Sequence, residues 1–274
     1  MRRTRNALVN LAGAVTFLVF AFPVYWMFST AFKPERDILT YTPHPVPWPM
    51  TLQHFRDAVA RPHFLDYVRN SVLVTSSAVL LSLAIATLAA LAVGRFDFRG
   101  RKAYLLLVMV VQMAPFEALL IPFFLMLRQL DLLNRLPALV LIYFIFTMPF
   151  TIWTLRGFVM AVPRELEEAA MVDGCSRLQA FMRVVFPLLA PGMVATSIFA
   201  FVTAWNEFLY AFVFMRDPDK LTLPVWLGTF RTAFGDDWGG TMAASALFTL
   251  PVLAFFLAIH RRLASGLTAG AVKG

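Results

Sequence analysis

The chain has 274 residues, a formal net charge of +8 at pH 7 and one cysteine; 59% of its residues are apolar and only 15% are charged. Soluble domains usually carry about 25% charged residues, so an ordinary soluble globular protein is excluded and lipid is the expected solvent. The single cysteine, Cys175, also excludes an intramolecular disulfide and a metal site made of several cysteines.

The first apolar run, residues 7–32, follows a basic start at residues 1–5. The apolar region of a secretory signal peptide spans about 7–15 residues, and this run is longer. We therefore interpret it as an uncleaved first membrane span. The small residues at 29–31 leave cleavage as the alternative.

Six apolar stretches are long enough to cross a bilayer as helices, since a span needs about 20 residues and lipid leaves backbone groups no external partner. The sequence therefore predicts an all-α polytopic membrane protein, with residues 1–274 forming a single transmembrane domain. The predicted spans are residues 8–32, 71–93, 103–127, 137–155, 188–214 and 241–260.

The distribution of lysine and arginine predicts the orientation of these spans. If the N-terminus is cytoplasmic, the short basic segment 94–102 and both termini lie inside, and inside segments carry more basic residues than outside ones. Because basic residues near span ends remain in the cytoplasm, we expect both termini to be cytoplasmic. We attribute the positive net charge to this topology rather than to nucleic-acid binding.

The segment between the fourth and fifth stretches is polar and yet rich in helix signals. Pro163 suits the first position of a helix, Gly174 suits a left-handed helix stop, and Ser176 with Gln179 has the spacing of a capping box. Residues 162–187 are therefore predicted to form a helix–turn–helix on the cytoplasmic side, with the turn at Gly174.

Apolar residues at helical spacing form one predicted face of the second short helix. Helices of about ten residues are marginal alone in water, so this face needs a surface to pack on. Two interpretations stay open: it packs on the spans of its own chain, or it docks into a cytoplasmic partner. The residues of the face are Leu178, Phe181, Met182 and Val185.

The same segment resembles the coupling-loop signature of binding-protein-dependent ABC importer permeases. Residues 168–170 read Glu-Ala-Ala, Gly174 follows, and residues 184–187 read Val-Val-Phe-Pro where the signature has Ile-x-Leu-Pro. The resemblance implies a type I importer permease fold and a loop that inserts into a cleft of an ATPase subunit. The coupling residues it implies are Glu168, Ala169, Ala170, Asp173, Gly174 and Pro187.

The resemblance also implies partners and a location. The partners are a second homologous permease, a cytoplasmic ATPase dimer, an extracytoplasmic sugar-binding protein and membrane lipid, with no nucleic acid. ATP and magnesium would bind the ATPase subunits, and this chain would bind no cofactor. The location implied is the bacterial cytoplasmic membrane.

Further segments resemble the carbohydrate branch of the family, and the ending at 266–274 is similar to the tail of the smaller permease of maltose-type importers. That similarity implies a tail that reaches the ATPase interface. It also implies a loop, residues 228–240, that contacts the binding protein through Phe230, Phe234, Asp236 and Trp238. The other similar segments are residues 70–74, 92–101, 120–124, 132–134 and 205–208.

Three polar residues within apolar stretches are candidates for a solute pathway: Glu117 in the third, and Asn206 and Glu207 in the fifth. A charge at mid-bilayer costs at least about 2.5 kcal/mol, so we expect these residues to line a solute pathway, with packing or interface roles as the alternative. Pro115 and Pro122 are expected to bend or break the third stretch beside Glu117. Aromatic residues near the pair are expected to stack on a sugar: Trp205, Phe208 and Tyr210.

Motifs for hydrolytic or nucleotide chemistry are missing from the sequence. It has no His-Glu-x-x-His, no Gly-x-Ser-x-Gly and no Gly-x-x-x-x-Gly-Lys-Ser/Thr. If transport is ATP-driven, the ATPase is therefore a separate chain. The transport subunit has one alternative, a membrane-embedded enzyme or assembly scaffold that uses its outer loops, and a copurifying ATPase distinguishes the two.

Overall fold

The computed structural model describes residues 2–232 and 235–270, and these residues are mostly helical with one short hairpin, which confirms the all-α class. The α-helices are α1 (Arg2–Ala31), α2 (Gln53–Ala60), α3 (Phe64–Arg95), α4 (Arg101–Met113), α5 (Leu120–Gln129), α6 (Leu136–Ala161), α7 (Arg164–Val172), α8 (Arg177–Ala180), α9 (Phe186–Leu188), α10 (Ala190–Trp205), α11 (Leu209–Phe214), α12 (Leu223–Gly228) and α13 (Trp238–Gly270).

Four single helices of the described chain are long and apolar enough to cross a membrane: Asn6–Ala31, Phe64–Arg95, Leu136–Ala161 and Trp238–Ile259. Two bent helix pairs also qualify, Arg101–Met113 with Phe116–Gln129 and Arg177–Leu188 with Ala190–Trp205. Counting each pair as one span gives up to six crossings, the number predicted from hydropathy. The second pair begins within the polar segment 162–187, so only its later part corresponds to the fifth predicted stretch.

The third predicted stretch is broken where proline led us to expect it. Helix α4 ends at Met113, a 3₁₀ turn covers Phe116–Leu119, and the two halves of the pair are bent by 90°. Pro115 at the break has no amide hydrogen to continue the α4 ladder. Pro122 lies in the first turn of α5, where a missing amide is tolerated.

The fifth predicted stretch is not one helix, and the prediction of a continuous helix over 188–214 is wrong. Helix α10 ends at Trp205 and α11 begins at Leu209, so Asn206 and Glu207 lie in a break. The break has a local cause, because the Glu207 carboxylate accepts hydrogen bonds from the amides of Tyr210 and Ala211. Those amides are thus capped as the start of a new helix.

The chain divides into two compact units. One comprises Met1–Leu65 with Val225–Pro251, and the other comprises Asp66–Pro224 with Val252–Gly274. The first includes a short hairpin, β1 (Arg231–Thr232) with β2 (Gly235–Asp236), in which Arg231 lies opposite Asp236. The prediction of a single domain over 1–274 stays a prediction.

The second unit has an apolar core beside the polar segment 162–187. Small residues of α3 allow α6 to approach closely: a Cβ added at Gly94 would lie 2.7 Å from a Val159 methyl. Apolar residues of the polar segment complete this core, so part of the segment packs on its own chain. The buried members are Ala86, Ala90, Ile152, Leu155, Val159, Val162, Phe181, Val185 and Leu189.

Helix α1, in the first unit, has an exposed apolar surface. Its described side chains from Asn6 to Tyr25 are almost all exposed, and Phe20 is 77% exposed. A helix that is apolar on all sides needs lipid or another protein around it. This helix therefore has the character of a membrane span.

Candidate coupling loop, membrane pathway and outer loop

The turn at Gly174 has the geometry that the sequence predicts. Gly174 has a φ of 92°, its amide donates to Met171, and the Cys175 amide donates to Ala170. These two bonds form a Schellman motif, which satisfies the last carbonyls of α7. A residue with a side chain is strained at this φ.

The second short helix also begins as predicted. The Ser176 side chain accepts from the Gln179 amide, and the Gln179 side chain accepts from the Ser176 amide, at 3.3 and 2.8 Å. This reciprocal pair is a capping box. The helix–turn–helix is therefore confirmed, with α7 starting at Arg164, one residue after Pro163.

The prediction that one apolar face covers the second helix is wrong. Phe181 and Val185 are buried in the core, whereas Leu178 and Met182 are 70% and 52% exposed. A π-helical turn over Phe181–Val185 changes the spacing at which side chains return to the same side. Both interpretations left open by the sequence therefore receive support: one side packs on the chain itself, and the other is open.

The residues implied by the coupling-loop signature lie mainly on the open side. Glu168, Ala169, Asp173, Gly174 and Pro187 are exposed, and Ala170 is half-buried. Val172, beside them, is 87% exposed. This surface has apolar and acidic groups together, which suits a protein partner better than water.

The two breaks in the membrane helices are joined by a hydrogen bond. The Tyr210 hydroxyl donates to the carbonyl of Phe116 at 2.5 Å, and Phe146 packs against both rings. The break between α4 and α5 therefore lies beside the start of α11. Irregular backbone at membrane depth is tolerated where it lines a cavity or is buried in protein.

Glu117 and Asn206 are exposed at these breaks. Asn206 caps α10, and its side-chain amide donates to the carbonyl of Val202 at 2.7 Å. Exposed polar groups inside an apolar belt are expensive next to lipid. Their exposure is therefore consistent with the predicted pathway, and their role stays a prediction.

Glu207 is half-buried and has structural contacts that the sequence did not reveal. One carboxylate oxygen accepts from the Tyr210 amide at 2.9 Å, and the other accepts from the Tyr143 hydroxyl at 2.8 Å. These bonds stabilise the break and connect it to α6. The geometry favours the packing alternative for Glu207, whose pathway role remains a prediction.

Only one of the three aromatic residues expected to stack on a sugar is accessible. Trp205 and Tyr210 are 1% and 2% exposed, so they cannot contact a solute in this conformation. Phe208 is 42% exposed and stacks on the exposed Phe212, with ring centroids 5.3 Å apart. Sequence analysis missed Phe212, although its i+4 spacing from Phe208 was the available signal.

Residues 228–240, called the outer loop here for the side on which we expect them, include Phe230. Phe230 is a packing residue, which corrects its predicted contact with a binding protein. It is 1% exposed, packs edge-on against Trp226, and has the Arg61 guanidinium 3.4 Å from its ring centroid. The sequence could not show this because Arg61 is distant along the chain. Asp236 and Trp238 are exposed, and Phe234 lies outside the described residues.

Arg61 organises this outer loop. Its guanidinium donates to the backbone and hydroxyl oxygens of Thr229, and it lies 3.5 Å from the Asp237 carboxylate. A cavity of about 380 Å³ opens beside it. The charged lining groups Glu35, Asp57, Asp237 and Arg61 make the cavity net acidic.

Comparison with known proteins identifies the class. Residues 82–269 match the family described as "Binding-protein-dependent transport system inner membrane component", and the chain belongs to this family. It is thus a permease subunit of an ABC importer and an integral protein of the inner membrane. The resemblance noted in the coupling loop is confirmed.

Individual relatives cover nearly the whole chain. It is 51% identical over 265 residues to the "Diacetylchitobiose uptake system permease protein DasC" of Streptomyces coelicolor, covering 97% of this chain and 96% of that protein. It is 32% identical to the "Trehalose/maltose transport system permease protein MalG" of Thermococcus litoralis, covering 98% of each.

A solved structure shares the fold. A bacterial ABC transporter "involved in the import of the acidic polysaccharide alginate" matches with a TM-score of 0.81, covering 94% of this chain and 96% of that one. The sequence identity is 20%, so this match supports the architecture only.

Proposed function

We propose that this permease forms half of the translocation pathway for a sugar that an extracytoplasmic binding protein delivers. The two relatives named above are permeases for sugars, and they cover nearly the whole chain. The exposed Asn206 and Phe208 at the membrane break offer hydrogen bonding and ring stacking. Both interactions suit a solute that carries hydroxyl groups on a ring with apolar faces.

Among sugars, we propose an N-acetylated amino-sugar disaccharide. Support comes from the relative named for diacetylchitobiose uptake, which is 51% identical, whereas the trehalose/maltose relative is 32% identical. An acetamido group presents both a donor and an acceptor, which the amide of an asparagine can match.

The coupling loop is proposed to dock on an ATPase subunit in the cytoplasm, with ATP and magnesium bound there and no cofactor bound by this chain. The observation that carries the proposal is the division of the loop into two sides. Phe181 and Val185 fasten it to the spans, while Glu168 and Leu178 are exposed for a partner. This placement implies that both chain termini are cytoplasmic.

The outer loop is proposed to contact the binding protein through Asp236 and Trp238, and the tail, residues 266–274, to approach the ATPase interface. Residues 271–274 of that tail lie outside the described residues. Arg61 would hold the outer loop in position by its bonds to Thr229.

Two measurements test this function. Thermal unfolding of the cognate binding protein with a panel of sugars should show the largest stabilisation with diacetylchitobiose, because a ligand that binds only the folded state raises its stability. Purification of the tagged permease should recover stoichiometric ATPase, and Glu168→Gln should reduce that recovery. Recovery of the permease without any ATPase, or stabilisation only by a non-sugar solute, would contradict the proposal.

A further inference from the structure

Arg95, the last residue of α3, connects α3 to the end of α6 and to α7 of the coupling loop. Its side chain is only 7% exposed, and one terminal nitrogen donates to the Val162 carbonyl at 2.8 Å. Its Nε lies 3.3 Å from the Glu167 carboxylate, at ion-pair distance although not aligned for a hydrogen bond. Its own carbonyl accepts from Arg164 at 3.3 Å.

The position of this guanidinium follows from close helix packing. Gly94 has no room for a side chain against Val159 of α6, so α3 and α6 meet directly before Arg95. Val162 follows the end of α6 and precedes α7. The arginine therefore binds the carbonyl of the connection and the carboxylate of α7 from the end of α3.

Helix α7 needs such an attachment more than the second short helix does. Among the described residues, α7 has no buried member, whereas Phe181 and Val185 of the second short helix are inside the core. Glu167 is the α7 carboxylate that faces Arg95, with its side chain 20% exposed. Adjacent helical residues point about 100° apart, and the neighbouring Glu168 is exposed.

We propose that Arg95 is a positioning residue that transmits movement of the coupling helix α7 to the membrane helices α3 and α6. The inference rests on the proposed docking of this loop to an ATPase. The neighbouring glutamates then have different tasks: Glu167 holds α7 to the spans through Arg95, and Glu168 faces the partner. Loss of a partly buried charged contact leaves its partner group unsatisfied, so α7 would move without displacing the spans.

The test uses the complete transporter, with its ATPase subunits, second permease and binding protein, reconstituted in vesicles. The variants are Arg95→Met, Arg95→Lys, Glu167→Leu and the double variant Arg95→Met/Glu167→Leu, with Glu168→Gln for comparison. Asp97→Asn is the matched control, since it removes an exposed carboxylate near Arg95 that pairs with Arg101. The measurements are ATPase recovery on purification and diacetylchitobiose transported per ATP hydrolysed.

Arg95→Met and Glu167→Leu should retain ATPase recovery while transport per ATP falls about fivefold or more. Fivefold is about the smallest change that a typical coupling free energy between two sites produces. The double variant should lose little more transport per ATP than Arg95→Met, because the effects of substitutions at two interacting residues do not add. Arg95→Lys should give intermediate transport per ATP, since a single ammonium cannot contact the Val162 carbonyl and the Glu167 carboxylate as the separate guanidinium nitrogens do. Asp97→Asn should match wild type.

Two results would overturn the inference. One is normal transport per ATP in Arg95→Met. The other is loss of ATPase recovery in Arg95→Met equal to that in Glu168→Gln, which would make Arg95 part of the docking surface. Failure of the wild-type permease to recover an ATPase would instead overturn the proposed function itself, and this inference with it.

Discussion

Single residues at the coupling loop and at the membrane break have effects that differ in kind. Gly174 is required for its backbone conformation, because at a φ of 92° any L side chain is strained. Asn206 is exposed and is proposed to act through its amide, whereas the Glu207 carboxylate accepts hydrogen bonds from Tyr143 and from backbone amides of α11. Each of these roles leads to a different experimental outcome.

Gly174→Ala should weaken ATPase recovery and transport while the protein remains in the membrane. The left-handed conformation costs a side-chain-bearing residue roughly 1–2 kcal/mol, which would displace the second short helix. Gly157→Ala is the matched control, since an added Cβ meets open space at both glycines and only Gly174 has a positive φ. Equal ATPase recovery and uptake for the two variants would argue against a conformational requirement.

Asn206→Ala should reduce sugar uptake in vesicles and leave assembly intact. Removing a hydrogen-bond partner of the solute should weaken solute binding in the pathway by about 1–3 kcal/mol. Because the side chain is exposed, little packing is lost. Wild-type uptake by this variant would exclude Asn206 from the pathway.

Glu207→Gln should lower the thermal stability of the permease and have a smaller effect on sugar uptake. An amide has only one acceptor oxygen, so one of the donors, the Tyr143 hydroxyl or a backbone amide of α11, would face an NH₂ group. An unsatisfied buried donor costs about 1–3 kcal/mol. Thermal unfolding in detergent measures this loss, with Asn206→Ala as the comparison. Unchanged stability with lost uptake would restore the pathway role of Glu207.

At the level of elements, two broken spans are fastened to each other at their breaks. The hydrogen bond from Tyr210 to the Phe116 carbonyl links the start of α11 to the turn before α5. Because a free backbone carbonyl is expensive in lipid, this bond also satisfies the backbone at a break. The proposed pathway therefore depends on an interaction between elements as well as on its lining residues.

Tyr210→Phe should retain the aromatic packing and remove this link. We expect a stability loss of about 0.5–1.5 kcal/mol, the net value of a typical hydrogen bond, together with slower uptake. Tyr41→Phe is the control, because Tyr41 is fully exposed on the outer segment. The two variants are compared by thermal unfolding and by uptake, and indistinguishable results would show that the link is dispensable.

At the scale of the whole molecule, exposed apolar surface must be covered by lipid or by another protein. Helix α1 is exposed over almost all of residues 6–25, and the sequence has one coupling-loop signature. The proposed ATPase dimer would present two docking clefts, so a single permease would leave one cleft empty. We therefore propose that a second permease covers apolar surface and occupies the other cleft.

The purified transporter should therefore contain one copy of this chain, one second permease of different mass and two ATPase subunits. Native mass spectrometry of the detergent-solubilised complex measures this composition. Two copies of this chain in the active complex, or uptake by this chain alone in vesicles, would contradict a pore made of two different permeases.

The sequence by itself determined the class of protein, the six crossings and the helix–turn–helix of the coupling loop. These features depend on local chemistry: apolar runs that match bilayer thickness, a proline that breaks α4 from α5, and the capping groups around Gly174 and Ser176. Each is encoded within a few turns of chain, so it could be predicted without knowledge of distant contacts.

Tertiary structure decided which of those residues are accessible. Phe230 is buried because Arg61 stacks on it, Glu207 is bonded to Tyr143 of another helix, and Arg95 meets Glu167 across the end of α6. The partners in each pair are far apart in sequence, and hydropathy records only that a side chain avoids water. It does not distinguish burial in the chain's own core from contact with lipid or a partner subunit.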